Sequence, residues 1–161
     1  MQETLSVGGL VKHPVTMWRA REVLGRISRV EDFVCLEGWM RPQQHWSGYR
    51  LEDLLNLAVP LAPYVEVASG TFVAVFAVSE VKGSNILLAD TCNGQLLEAE
   101  RGGPWRLVAP GRECFFSVKA VDRITVVATR SGETARRLAL ARIGRLDPDS
   151  APSSSEEPTV G

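Results

Sequence analysis

Cysteine and histidine are scarce in this chain of 161 residues, which holds three cysteines, Cys35, Cys92 and Cys114, and two histidines, His13 and His45. An odd number of widely spaced cysteines makes neither a CxxC pair nor an even disulfide framework, which excludes a zinc ribbon. Two histidines leave few ways to assemble a three-histidine zinc site or a two-histidine iron site. CxxCH is missing, and covalent haem goes with it. GxGxxG, GxxxxGKS, HExxH and GxSxG are missing too, so nucleotide loops, zincins and serine hydrolases lose their usual support. The formal net charge of −1 provides no global basic field to gather nucleic acid or anionic lipid, and any anion site must be local. The N-terminus, MQETLSVGGLVKHP, has no charged region followed by an apolar one, and no uncharged run approaches the roughly 18 residues of a membrane helix. A soluble, cytoplasmic protein with no nucleic-acid partner and no membrane insertion is expected.

What is present is a core. Apolar residues make up 45% of the chain and charged residues 23%, the balance of a globular domain that needs no disulfide or metal staple. LSVGGLV is β-prone and ends at the turn signal His13-Pro14. Thr16 is placed as the N-cap of a short helix, MWRAREVL, stopped by Gly25. Residues 27–36 return to strand character and deliver Cys35 near a strand end. EGWMRPQQHWSG, with its glycines, proline and polar residues, is expected to be a loop. Leu51, Leu54, Leu55 and Ala58 keep helical spacing, so RLEDLLNLA is an amphipathic helix closed by Pro60. YVEVAS and TFVAVFAV form two interior strands around a Ser69-Gly70 turn. ILLAD, CNGQLL with its Asn93-Gly94 turn, WRLVAP and DRITVVAT supply further strands. The expected fold is α+β: a mixed, barrel-like β-sheet domain over residues 1–130 with short inserted helices. A C-terminal helix is expected over 131–146. Residues 147–161, rich in Pro, Ser and acid, have too little apolar surface to offset the entropy of ordering and are expected to be a disordered tail.

Four places could carry chemistry. Cys35 by itself is a core thiol, since a free cysteine packs as a small hydrophobe. Its position at the mouth of a loop holding Gly38, Trp39, Trp46 and Gly48 would also let a soft metal or an electrophile reach it. Glu37 in that loop is either an acid–base group or a solvated carboxylate. The second place is RGGPWRLVAPG, where two glycines let a backbone approach a ligand and Arg106 offers a planar fork of donors, a combination suited to phosphate. A surface hairpin with a solvated arginine is the plain alternative. In FFSVKAV, Ser117 and Lys119 put a hydroxyl, backbone amides and an ammonium close together, which suits an anion as well as it suits a cap with an exposed lysine. Ser69-Gly70 is most simply a turn.

Taken in order along the chain, these segments resemble one family, the sulfite-oxidase-like molybdopterin-dependent oxidoreductases. GLVKHP resembles the domain entry. VCLEGW and HWSGYRLEDLL resemble the cysteine segment, the tryptophan-glycine turn and the following helix, and NILLADTCNGQLL resembles the Leu-Leu-Ala and Asn-Gly stretch. GGPWRLVAPG and FFSVKAVDRITV resemble the closing Gly-x-Pro-x-Arg and Ser-x-Lys signatures. The similarity runs from about SVGGLVKHP to DRITVV. It begins at the domain entry, so the segment upstream of it in longer reductases and the second domain of sulfite oxidases are expected to be missing.

The resemblance implies a molybdenum–molybdopterin cofactor, with Cys35 as the thiolate ligand of the metal and the catalytic centre. It implies that Arg106, Ser117 and Lys119 hold the pterin phosphate, that Ser69 and Arg101 make other pocket contacts, and that Gly38 and Trp39 wall the metal. Thiolates suit a soft, sulfur-rich site, and coordination requires the deprotonated sulfur. Where sulfite oxidases continue with an Asn-Arg-Arg pattern this chain has Glu37-Gly38-Trp39, closer to the bacterial reductase branch. Arg101 falls where relatives carry histidine or asparagine, and the tyrosine that those oxidases place near the metal has no evident counterpart here. The implied function is two-electron oxygen-atom transfer on a small oxyanion or sulfoxide, with electrons exchanged with a separate carrier. The alternative is a molybdopterin-binding module or scaffold that has lost turnover.

Overall fold

Apolar runs and turn signals sort the chain into two sheets with a helix between them. The computed structural model describes residues 5–34, 40–110, 116–135 and 137–138, with the backbone alone at 31–34 and 40–43. In chain order the elements are β1 (Ser6–Gly9), β2 (Val15–Thr16), α1 (Met17–Val23), β3 (Ile27–Val34), β4 (Met40–Arg50), α2 (Leu51–Ala58), β5 (Tyr64–Ser69), β6 (Phe72–Ala77), the single turn α3 (Val78–Val81), β7 (Leu87–Cys92), β8 (Gln95–Leu96), a 3-10 turn at Ala99–Arg101, β9 (Arg106–Val108) and β10 (Arg123–Val127). The first sheet runs β2-β1-β10-β5-β6 and the second β3-β4-β7-β8, with β9 also on β7. β1 and β10 pair in parallel, so the first and the last of these strands lie side by side. This is the expected α+β arrangement of mixed sheets and few helices, and both sheets are open, with no closed barrel among the described residues.

Local chemistry explains the elements. Thr16 caps α1 by accepting from the Arg19 amide at 3.0 Å, which satisfies one of the donors that a helix start leaves orphaned. In α2 the residues at helical spacing, Leu51, Leu54, Leu55 and Ala58, are the buried ones. They pack with Val65, Val67, Phe76, Ile124 and Val126 of the first sheet and with Tyr49, Leu88 and Leu107 of the second. Asn93 and Gly94, at φ 53° and 82°, make the left-handed pair that a tight β7–β8 hairpin demands. The β5–β6 turn is centred one residue later than expected, at Gly70-Thr71, because Ser69 still pairs with Phe72.

The expected loop across EGWMRPQQHWSG is overturned from residue 40 onward. Met40–Arg50 is a strand flanked by β3 on one side and β7 on the other. Its polar residues lie in the strand, Trp46 and Tyr49 are buried, and Gly48 marks a shift of register against β7 and not a turn. A glycine inside a strand commonly marks such an approach of two backbones. The first three residues of that stretch, Glu37 to Trp39, lie outside the described residues. The helix expected over 131–146 is described only to Leu138: 131–134 are not helical, and Ala135, Arg137 and Leu138 are. The tail at 147–161 and Cys114 lie outside the described residues. Cys92 is a buried thiol, as expected.

Alternation along β7 turns Leu88 to the main core and Leu87 and Ala89 to the other face of the second sheet, where they pack with Trp46, Cys92, Leu97 and Val108. Asp90, only 6% exposed, ties this sheet to the end of α1: Arg26 grips it with two nitrogens at 2.7 and 3.3 Å, and Arg21 lies 3.6 Å away. The Asp90 hydrogen bond raises the Arg26 pKa above its ordinary value, against the opposing effect of burial. Both arginines lie over aromatic rings, Arg21 over Trp105 and Arg26 over Tyr49. Asp90→Ala is expected to destabilise the protein by about 2 kcal/mol, less than for a fully buried pair because both arginines reach water. Urea unfolding measures this, and an unchanged midpoint would show that the cluster adds nothing.

Candidate functional site

The second sheet's outer face positions the site. β9 joins β7 with Leu87 opposite Val108, Leu88 opposite Leu107 and Ala89 opposite Arg106. Leu107 therefore enters the main core while Arg106 turns to the face that carries Trp46 and Ala89. Arg106 is buried, at 7% exposure, which is rare for a guanidinium. Its Nη1 donates to the Arg101 carbonyl at 3.3 Å, and its charge lies 5.5 Å from the Trp46 ring centre.

The approach to β9 is built for close contact. The 3-10 turn ends at Gly102, whose φ of +93° is strained for any other residue. A cis Gly103-Pro104 bond then leads the chain into β9. A Cβ on Gly102 would lie 3.0 Å from Cδ of Arg106 and 3.1 Å from Cγ of Lys119. Two cationic stems thus converge over a backbone position that only glycine leaves free. The segment bearing Lys119 is held beside the β9 approach by three backbone bonds: Leu107 N–H to the Val118 carbonyl, Ala120 N–H to Gly102 and Val121 N–H to Trp105. Ser117, also buried, accepts from the Ala109 amide at 3.0 Å, and its own proton is left to donate.

Of the residues expected from the sequence, the structure brings Arg106 and Lys119 together over Gly102, with Arg101 touching Arg106 and Ser117 two residues before Lys119. It does not tie Ser69 to them. The adjacent turn is held by Asp122, which accepts from the Gly70 amide at 2.8 Å, and by Arg123, which donates to the Gly70 carbonyl at 2.7 Å. No hydrogen bond among the described residues joins Ser69 to Arg101, Arg106 or Lys119. Cys35, Gly38 and Trp39 lie outside the described residues, in the connection between β3 and β4.

One participant was missed from the sequence, Gln44, and Trp46 was named only as part of the supposed loop beside Cys35, not as a neighbour of Arg106. The signal was an alternation: 44, 46 and 48 step by two, the period of a strand face. Gln44 Oε1 lies 3.5 Å from Arg101 Nη2, 3.5 Å from Cys92 Sγ and 3.4 Å from Asn93 Nδ2.

A buried fork of N–H donors beside a lysine and a glycine floor is the donor set of a phosphate, because it offers positive charge, several N–H groups and room for close approach. Lys119 forms no ion pair among the described residues, so its ammonium is available to a ligand. The family model described as "Oxidoreductase molybdopterin binding domain" matches residues 2–135. The chain belongs to the oxidoreductase molybdopterin-binding domain family. This molybdopterin-binding domain is similar, at 28% identity over 84% of the chain, to the catalytic subunit of the protein-methionine-sulfoxide reductase MsrP of Gluconobacter oxydans, and covers 50% of that protein. The chain spans about half the length of this curated relative. Its fold is similar to that of the sulfane dehydrogenase SoxCD from Paracoccus pantotrophus, with a TM-score of 0.68 and 22% identity over 80% of this chain and 40% of that one. A molybdopterin is thus the group that the family binds, and the phosphate-type donor set over Gly102 fits its anionic end. Among the described residues, no helix is long and apolar enough to cross a membrane.

Proposed function

We propose that this chain is a molybdenum-dependent oxidoreductase that transfers an oxygen atom to or from a small oxyanion or sulfoxide, with Cys35 as the thiolate ligand of the metal. Bound molybdenum supplies the two-electron change, and the protein supplies ligation, orientation and electrostatics. Reducing a sulfoxide to a sulfide takes up two electrons and two protons and releases water, and the electrons come from a separate carrier. The similarity to a methionine-sulfoxide reductase favours the sulfoxide over the oxyanion.

The observation that carries this reading is the convergence of Arg106 and Lys119 over Gly102. Arg106 acts as a pre-oriented fork: packed over Gly102 and beside Trp46, it loses little freedom when it binds a phosphate. Lys119 adds a mobile point charge from the solvent side. Ser117 has a proton left to donate to a phosphate oxygen while it keeps the end of β9 in place.

Protein made in a host that synthesises the cofactor is expected to contain molybdenum and a pterin in near-equal amounts. The Arg106→Gln, Lys119→Gln double variant is expected to retain about 100-fold less of both, the loss of two charge-assisted phosphate contacts. Elemental analysis and pterin fluorescence read the two components. Full pterin content in the double variant would overturn the cradle assignment, and loaded protein that never changes redox state with any donor or acceptor would leave a binding module in place of an enzyme.

A further inference from the structure

Arg106 is tied to its neighbour as well as to its own strand: its guanidinium Nη1 donates to the Arg101 carbonyl, 3.3 Å away. That carbonyl lies in the short 3-10 turn just before Gly102, a segment with few bonds of its own beyond Arg101 N–H and Gly103 N–H to Glu98 and Gly102 N–H to Ala99. Besides the Ala120 N–H to Gly102 carbonyl bond, the Arg101 side chain ties the turn to the sheet, reaching back across the face to Gln44 at 3.5 Å and Cys92 at 3.6 Å. Gln44 is well placed to receive it. The next residue, His45, exchanges two hydrogen bonds with Asn93, His45 N–H to Oδ1 at 3.0 Å and Asn93 N–H to the His45 carbonyl at 2.7 Å. The Asn93 side-chain amide and the Cys92 thiol lie around the same Gln44 oxygen.

We infer that Gln44 is a positioning residue: its amide oxygen seats the Arg101 side chain, and the Arg101 carbonyl thereby holds the Arg106 guanidinium in the anion cradle. Each contact is long and individually weak, but three donors share one acceptor on a central strand, so the acceptor sets the position of the turn. The Arg101 guanidinium is accordingly a support for the site and not a contact to the bound anion. Gln44 also sits on β4, the strand that follows the connection bearing Cys35. The inference rests on Arg106 and Lys119 being the phosphate cradle.

The test uses the full cofactor-free chain and inorganic phosphate, with binding followed by the indole N–H resonance of Trp46, which lies beneath Arg106. Gln44→Leu, which keeps the volume and removes the acceptor, is expected to weaken phosphate about tenfold, the effect of one charge-assisted hydrogen bond. Gln44→Glu, which offers the same acceptor, is expected to restore it. In an Arg101→Leu background, itself about tenfold weaker, Gln44→Leu is expected to add no further loss, since both changes break one link. Additive losses in the double variant, or unchanged affinity in Gln44→Leu, would overturn the inference. If Gln44→Leu fails to fold, Gln44→Ser in the two backgrounds gives the same comparison. Unchanged phosphate affinity in Arg106→Gln would instead sink the cradle itself, whereas a loss in Arg106→Gln with none in Gln44→Leu sinks only the positioning role.

Discussion

Replacing Gly48 with alanine is expected to destabilise the protein by about 3 kcal/mol or more, lowering its melting temperature by roughly 10 °C. A Cβ at this position would collide with the Leu88 carbonyl oxygen and would lie 2.7 Å from the Ala89 Cα and 2.8 Å from the Leu88 carbonyl carbon. All three are backbone atoms, so no rotamer can swing away. Relief requires β4 and β7 to part where their register already shifts, between Ser47 and Gly48. That separation would strip hydrogen bonds from the centre of the second sheet and open the packing of Tyr49 and Leu88 in the core. A domain of this size is held by only about 5–15 kcal/mol, so such a loss is a large share of its stability. Gly8→Ala is the matched control, because nothing lies within 4 Å of a Cβ there and its backbone is ordinary; its change is expected to stay within about 0.5 kcal/mol. Thermal unfolding of the pair by circular dichroism decides the matter, and equal melting temperatures would refute the close approach. Because Trp46 and Gln44 share β4 with Gly48, the alanine variant is also expected to bind phosphate less well.

The same glycine explains why part of the fold was legible in the sequence and part was not. Helix α2 could be read directly, because its four buried residues follow the helical period and nothing in the segment competes with it. The β7–β8 hairpin could be read from two residues, since Asn-Gly is the pair that tolerates two successive left-handed conformations. β4 could not. A proline, two glutamines and a glycine within residues 42–48 carry the composition of a loop, and composition does not say that a strand has partners on both sides. What made those residues a strand is tertiary: β3 and β7 supply the ladders, and Gly48 is needed because a neighbouring backbone comes too close, not because the chain turns. The site divides in the same way. Arg106, Lys119 and the two glycines stood out because phosphate chemistry favours those residue types in a short span. Gln44 did not, since it acts through another side chain, and Trp46 stood out only as a loop residue, since lying beneath a cation leaves no local motif. At Ser69-Gly70 the turn that the sequence suggested is present, and Asp122 and Arg123 hold its Gly70 backbone.

Cys35→Ala is expected to separate the two parts of the proposed site. The thiolate is the only protein ligand proposed for the metal. Loss of a supporting contact alone typically costs a metal site ten- to a hundredfold in affinity, so removing the ligand itself is expected to lower molybdenum per chain by more than about 100-fold. Turnover should fall with it. The phosphate contacts are a different matter, because Arg106, Lys119 and Gly102 belong to β9 and the segment beside it, not to the connection that bears Cys35. Their charge-assisted bonds survive the substitution, and pterin content is expected to fall by no more than about tenfold. The reciprocal outcome is expected for Arg106→Gln, Lys119→Gln, in which pterin and molybdenum are lost together although the thiol is intact. Measuring both components in both variants therefore tests the division of labour as well as the ligand. Molybdenum at the wild-type level in Cys35→Ala would refute the thiolate assignment even if the phosphate cradle stood. Equal loss of pterin and metal in Cys35→Ala would show that the cradle cannot hold the pterin by itself, and that the affinity resides in the bond to sulfur.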